Sequence, residues 1–168
     1  MGIPVEIERK FVIAMPDFDY MASLEDYTSS EIRQTYLMST VPITHRVRAR
    51  RFADVTTYTE TVKRRIDSMS VFEDEREISE VEYQKLLQGA MDGTVTLEKT
   101  RHSFVFCGKT FEVDVYPKWQ KSCILEVELL SRDEEITFPE FITVIAEVTG
   151  DKRYSNASLS RSFPVELI

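Results

Sequence analysis

The sequence is short of the residues that build soft-metal and thiol sites. Two cysteines, Cys107 and Cys123, and two histidines, His45 and His102, occur in 168 residues. The cysteines lie far apart, without CxxC or Cys/His spacing, so neither a zinc site nor a redox motif is indicated and two reduced thiols are expected. Two histidines are too few for a His-based metal site. No apolar run approaches the roughly 18 residues that span a bilayer. The opening MGIPVEIERKF lacks the apolar stretch of a signal peptide, so a cytoplasmic protein is expected. Positive charge is also in deficit: 21 Lys and Arg stand against 29 Asp and Glu, a net charge of −8. That balance argues against nucleic acid or an anionic membrane as a general partner. No Walker glycine loop is present, so any phosphate ligand has to be held by side chains instead of backbone N–H groups. Repeats and low-complexity tracts are absent, and one domain over 1–168 is expected.

What is present is alternation of period two, the mark of strands with two unlike faces. It predicts strands over 4–13, 31–38, 44–53, 56–65, 71–79, 95–106, 110–116 and 123–131. Cys107-Gly108-Lys109 reads as a hairpin turn, and Tyr116-Pro117-Lys118 ends a strand. Helices are expected over 79–88, where Ser79 and Glu82 form a capping box, over 139–147 with Pro139 in the first turn, and over 21–27. The fold class is mainly β with a few peripheral helices. Adjacent antiparallel hairpins favour a closed barrel, because closure removes exposed sheet edges.

The charge on these strands is segregated by sign. Arg46, Arg48 and Arg50 share one face of their strand; Lys99 and Arg101 share another. Glu73, Glu75 and Glu77 form a purely acidic face, and so do Glu126 and Glu128. Solvated faces usually mix signs. Segregation makes sense if the strands face one another across a polar interior that holds metal and an anionic ligand. In Glu6-Ile7-Glu8-Arg9-Lys10, spacing of two places Glu6, Glu8 and Lys10 on one side. Two carboxylates one pleat apart can share a hard divalent cation, and oxygen-only ligation points to Mg²⁺ or Mn²⁺ rather than zinc. Glu126 and Glu128 repeat the spacing. First and last strands are neighbours in a barrel, so the two pairs can meet.

These motifs resemble, in order along nearly the whole chain, those of the CYTH superfamily, the triphosphate tunnel metalloenzymes. Glu6-x-Glu8-x-Lys10 is similar to its ExExK signature, and Ile32 to Leu37 to its second strand. Arg46-Val47-Arg48 is similar to its RxR strand, Thr61-Val62-Lys63 to TxK, and Leu97 to Arg101 to LxKxR. The stretch Glu112 to Tyr116, the pair Glu126 and Glu128, and Glu147-Val148-Thr149 followed by Tyr154-Ser155-Asn156 continue the match. The resemblance implies a tunnel of eight antiparallel strands. It makes Glu6, Glu8, Glu126 and Glu128 metal ligands and Asp114 a ligand or an outer-sphere residue, with Mg²⁺ or Mn²⁺ as cofactor. Lys10, Arg46, Arg48, Lys63, Lys99 and Arg101 would contact phosphate oxygens, with Arg33 and Arg50 as additions. Glu6, Glu8 and Lys99 are the candidate catalytic residues, and Tyr27 is a candidate tyrosine beside Lys99. The acidic face of Glu73, Glu75 and Glu77 is expected to pair with tunnel bases, and Trp119 to cover the apolar outside.

The activity implied is divalent-metal-dependent hydrolysis of inorganic triphosphate or a related short polyphosphate. Alternatives on the same scaffold are a thiamine or nucleoside triphosphatase, a class IV adenylate cyclase, or a polyphosphate-binding module without turnover. The partner implied is a triphosphate-containing small molecule, and the resemblance is compatible with a homodimer.

Overall fold

The computed structural model describes residues 5–168. Among the described residues there are nine strands: β1 (Val5–Ala14), β2 (Thr28–Leu37), β3 (Ile43–Phe52), β4 (Val55–Arg65), β5 (Ser70–Ile78), β6 (Leu97–Phe106), β7 (Lys109–Val115), β8 (Ser122–Leu129) and β9 (Val144–Glu147). Three short helices accompany them: α1 (Phe18–Ala22), α2 (Glu80–Leu86) and α3 (Asn156–Leu159). Eight of the strands match the expected segments within a few residues; Pro4, the first residue of the first expected strand, lies outside the described residues.

The sheet runs β5-β4-β3-β2-β6-β7-β8-β1, and β5 returns to β1 to close it. Closure rests on three antiparallel pairs, Val5 with Phe72, Glu6 with Val71 and Ile7 with Ser70. Further along β1, the same edge takes β9 through Phe11–Glu147, Val12–Ala146 and Ile13–Val144. The expected helix over 139–147 is therefore a correction: its second half is β9. Phe141, Ile142 and Ile145 mimic a helical stripe, but the exposed edge of β1 offers this segment backbone partners that a lone helix turn cannot match. The helix expected over 21–27 forms instead at Phe18–Ala22, where the Asp17 carboxylate accepts from the N–H groups of Asp19 and Tyr20 at 3.0 and 3.1 Å. Ser79 caps α2 by accepting from the Glu82 N–H at 3.1 Å. The Glu82 side chain does not complete the box; it pairs with Arg76 at 2.6 Å.

Alternation gives the barrel an apolar outside and a polar inside. Phe11, Ile13, Phe104, Phe111, Val113, Leu125 and Val127 point outward and are covered by Met21 of α1 and by Phe138, Phe141 and Ile142. On the other flank, α2 lays Tyr83 over Val47, Ala49, Tyr58 and Ile78. One end of the barrel is closed. There the inward positions turn apolar, and Val12, Leu97, Tyr116 and Ile124 pack with Trp119, Val148, Tyr154 and Leu159. Gly150, at φ +75°, lets the turn after β9 press on the β4–β5 hairpin: a Cβ there would lie 2.9 Å from that of Ser68. Trp119 thus seals the closed end instead of covering the outside.

Candidate functional site

Register places the charged motifs on the inward face. Glu8 lies opposite Glu128 and Lys10 opposite Glu126 across β1 and β8. Glu126 lies opposite Glu112 on β7, and Asp114 opposite Arg101 on β6. Arg46 and Arg48 on β3 share their face with Thr61 and Thr59 of β4, and Lys63 shares its face with Glu73 of β5. Three strands separate β3 from β8 in either direction around the ring, so the arginine row faces the late glutamate pair across the interior.

Deepest in the barrel is a fused set of ion pairs. Arg101 Nε and Nη2 donate to the two Asp114 oxygens at 2.7 and 2.8 Å. Its Nη2 also reaches Glu126 at 2.9 Å, and its Nη1 donates to Glu112. Lys99 Nζ lies 2.6 Å from Asp114, with both side chains 0% exposed. Lys10 Nζ lies 3.1 Å from Glu126. Charges this deep persist only because each is matched. Burial opposes ionisation of Asp114, but Arg101 and Lys99 outweigh it and hold the carboxyl below its ordinary value. Burial likewise opposes ionisation of Glu126, which Lys10 and Arg101 override. Burial, then the neighbouring Arg101, pull the Lys99 ammonium down to about 7. The closed end supplies further oxygens: the Tyr154 carbonyl accepts from Lys10 at 3.4 Å, and Asn156 Oδ1 accepts from Tyr116 at 2.6 Å and Lys99 at 3.5 Å.

The arginine row of β3 is different. Among the described residues, Arg46, Arg48 and Arg50 have no carboxylate partner. Arg48 donates twice to Gln34 Oε1, at 3.2 and 2.9 Å, and Arg46 once at 3.4 Å. Arg46 is 7% exposed, and its Nε is buried without a partner. Arg50 donates to Ser30 Oγ at 3.0 Å. Burial, then repulsion from Arg46 and Arg101, push the Arg48 guanidinium down to about 10. These cations form no ion pair with a carboxylate among the described residues, and Glu75 acts on Arg48 and Glu73 on Arg46 only through space; a row of this kind is suited to an anion.

The carboxylates of β1 meet the opposite condition. Repulsion from Glu126, then burial, raise Glu8. Burial and a hydrogen bond shared with Glu73 raise Glu6 to about 7. Lys63 is the nearest cation, at 3.4 Å from Glu6 and 2.6 Å from Glu73. Among the described residues, no three Asp, Glu, His or Cys side chains converge into a ready-made metal cage. The donor chemistry nonetheless fits a hard divalent cation: Glu8 and Glu128 are direct cross-strand partners, Glu6 follows one pleat away, and the repulsion on Glu8 is what a cation relieves.

The expected members of the site are not all alike in their surroundings. Asp114 and Glu126 lie on the inward face with both oxygens engaged by Lys and Arg. Lys99 is locked beneath the interior surface. Arg33 points outward, 3.3 Å from Glu98. Tyr27 is not beside Lys99; its hydroxyl meets His102 Nδ1 at 2.7 Å on the outer face of β6. Glu73 joins Lys63 as expected, while Glu75 accepts from Thr61 at 2.7 Å. Sequence reasoning passed over Glu112, although it alternates with Asp114, and Gln34, whose inward parity beside the arginine row was its only signal.

No family model matches the chain. It is 36% identical over 162 residues to an inorganic triphosphatase of Nitrosomonas europaea, covering 95% of this chain and 99% of that one. It is 32% identical over 158 residues to an inorganic triphosphatase of Acetivibrio thermocellus, covering 94% of each. The crystal structure of the inorganic triphosphatase NE1496 superposes with a TM-score of 0.60 at 32% identity, over 95% of this chain and 96% of that one.

Proposed function

The chain belongs to the CYTH superfamily of triphosphate tunnel metalloenzymes, and from that premise we propose that it hydrolyses inorganic triphosphate with a divalent cation, Mg²⁺ or Mn²⁺. The observation that carries this reading is the unneutralised arginine row, Arg46 and Arg48 with the orphaned Arg46 Nε, facing the carboxylates of β1 and β8. The two relatives named inorganic triphosphatases over almost their whole length support the same substrate.

In this reading Arg46 and Arg48 hold phosphate oxygens and reduce repulsion between the phosphates. Gln34 keeps both guanidinium groups aimed inward. Lys10 and Lys63 line the path between the arginines and the carboxylates. Glu6, Glu8 and Glu128 would hold the cation, and one of these carboxylates would accept the proton of the attacking water. When bound, the cation neutralises charge developing on the phosphoryl oxygens. Arg101, Asp114, Glu112 and Glu126 form the rigid wall that fixes Lys10 and Lys99. Lys99 acts by holding Asp114, since its own ammonium is covered. The apolar closed end keeps the ligand and its water on one side.

The test is product analysis on a substrate panel with Mg²⁺ or Mn²⁺: inorganic triphosphate, a nucleoside triphosphate and thiamine triphosphate. Release of phosphate and pyrophosphate from inorganic triphosphate, at higher kcat/KM than from the other two, is expected. A cyclic nucleotide product, or binding without turnover, contradicts the reading.

A further inference from the structure

One stretch of the outer wall has no helix over it among the described residues. α2 covers Val47, Ala49, Tyr58 and Ile78, and α1 with Phe138, Phe141 and Ile142 covers the flank around Phe111 and Val113. Between these flanks, register lines up Val5, Phe72, Arg64 and Ile43 in one outward row across β1, β5, β4 and β3. Val62 stands outward beside that row, opposite Asp74. Ile66 follows Arg64 in the same parity. The Pro42 carbonyl accepts from the Arg65 N–H at 3.4 Å, which brings Val41 alongside. Val5, Val41, Ile43, Val62 and Ile66 are all exposed, Val41 at 96%. Single exposed apolar side chains are ordinary, but a contiguous set rimmed by charge marks a contact surface.

Two charges sit within the strip. Arg64 lays its guanidinium over the Phe72 ring, 5.0 Å from the centroid. Asp74 lies two residues beyond Phe72 on the same face of β5. Both are exposed, and among the described residues neither forms an ion pair. One unpaired charge of each sign on a single patch is what a second copy of the chain requires. In a two-fold contact residue i meets residue j while j meets i. Arg64 of one copy then meets Asp74 of the other, and the reverse pair forms at the same time. Arginine and aromatic side chains are also favoured anchors of interfaces. We propose that this strip is the interface of a two-fold homodimer. Its apolar side chains form the core of the contact, and the two pairs of Arg64 with Asp74 fix its register. The contact spans the seam where β5 meets β1 through Val5, Glu6 and Ile7, so each copy braces the closure of the other at the strand that carries Glu6 and Glu8.

Sedimentation equilibrium on the full chain tests this with the wild type, Val62→Glu, Arg64→Asp, Asp74→Arg and an equimolar mixture of the last two, each checked for folding by circular dichroism. The wild type is expected to be a dimer whose thermal midpoint rises with protein concentration. Val62→Glu places a charge in the apolar core and should give a monomer. Each charge reversal creates two like-charge contacts and should raise the dimer Kd on the order of 100-fold. The mixture should associate again, because both contacts are then opposite in sign; that rescue separates a lost contact from a lost fold. A wild type that stays monomeric up to about 100 μM, well above the Kd of a specific interface, overturns the proposal. So does a dimer that survives Val62→Glu and both reversals. Reversal variants that dissociate, but whose mixture stays monomeric, overturn the pairing of Arg64 with Asp74.

Discussion

Arg101 grips Asp114 with two nitrogens, at 2.7 and 2.8 Å, and the Asp114 side chain is wholly buried between that guanidinium and Lys99. On the proposed reading Asp114 is a structural counter-ion. Asp114→Asn leaves two buried cations short of a charge, so the urea midpoint should fall by the equivalent of roughly 3–5 kcal/mol. Affinity for Mn²⁺, measured by calorimetric titration on the folded variant, should stay near the wild-type value. A stable variant that has lost Mn²⁺ binding would show that Asp114 is a metal ligand after all.

Glu8 and Glu128 face each other across β1 and β8 and should act as one unit. Glu8→Gln and Glu128→Gln should each keep the fold and remove most turnover, because an amide is a poorer ligand for a hard cation. The double variant should lose little beyond either single one, since members of one centre are strongly non-additive. Steady-state rates for the four proteins decide it; losses that multiply as independent factors contradict a shared centre.

The alternation of these strands made the barrel readable, and it carried Glu8, Lys10, Arg48, Arg101 and Glu128 to the inward face together. Other features depended on contacts that spacing does not encode. β9 has four residues, too few to show a period, and it forms because β1 has an edge to fill. The closed end was hidden because Val12 follows Lys10, and Ile124 precedes Glu126, in the same parity; a change from polar to apolar within one inward row looks like noise until the segment carrying Tyr154 and Leu159 is seen against it. The pairing of Asp114 with Arg101 and Lys99 was not legible in spacing, because those bases sit on another strand and the register between β6 and β7 decides it.

Inward and outward arginines should separate in binding. Arg48→Ala removes a half-buried inward cation and should weaken triphosphate binding by about 1.5–3 kcal/mol. Arg51→Ala removes an exposed charge and should have little effect. Calorimetric titration with triphosphate in the presence of Ca²⁺, used to slow turnover, compares them. Equal effects would mean that the β3 register is wrong.

Acidity should compete with the cation. Burial, then the hydrogen bond with Glu73, push Glu6 to about 7, and Glu126, then burial, raise Glu8. Between the ordinary carboxylate range and about pH 7, the metal-free folded protein keeps a proton that the unfolded chain has released. That contribution to stability is present at lower pH and is lost as pH rises through about 7. Glu73, held low in the fold, acts in a more acidic window and does not cancel the effect there. In EDTA the urea midpoint should therefore fall from about pH 5.5 to about pH 7, below the range in which Lys99, held down to about 7, adds stability as it loses its proton. Mn²⁺ should raise it more at the higher pH, because the ligands must be deprotonated. Glu6→Gln should flatten most of both trends. A wild type whose Mn²⁺ stabilisation is the same at both pH values would contradict the assignment of Glu6.

Most direct is the rate of phosphate release from inorganic triphosphate by protein stripped of metal, with removal verified by elemental analysis, before and after Mg²⁺ or Mn²⁺ is returned. Turnover should be absent in the stripped protein and restored by either cation, and Glu8→Gln should stay inactive under both conditions. Full turnover by the stripped wild type would contradict a carboxylate-held cation as the basis of the activity.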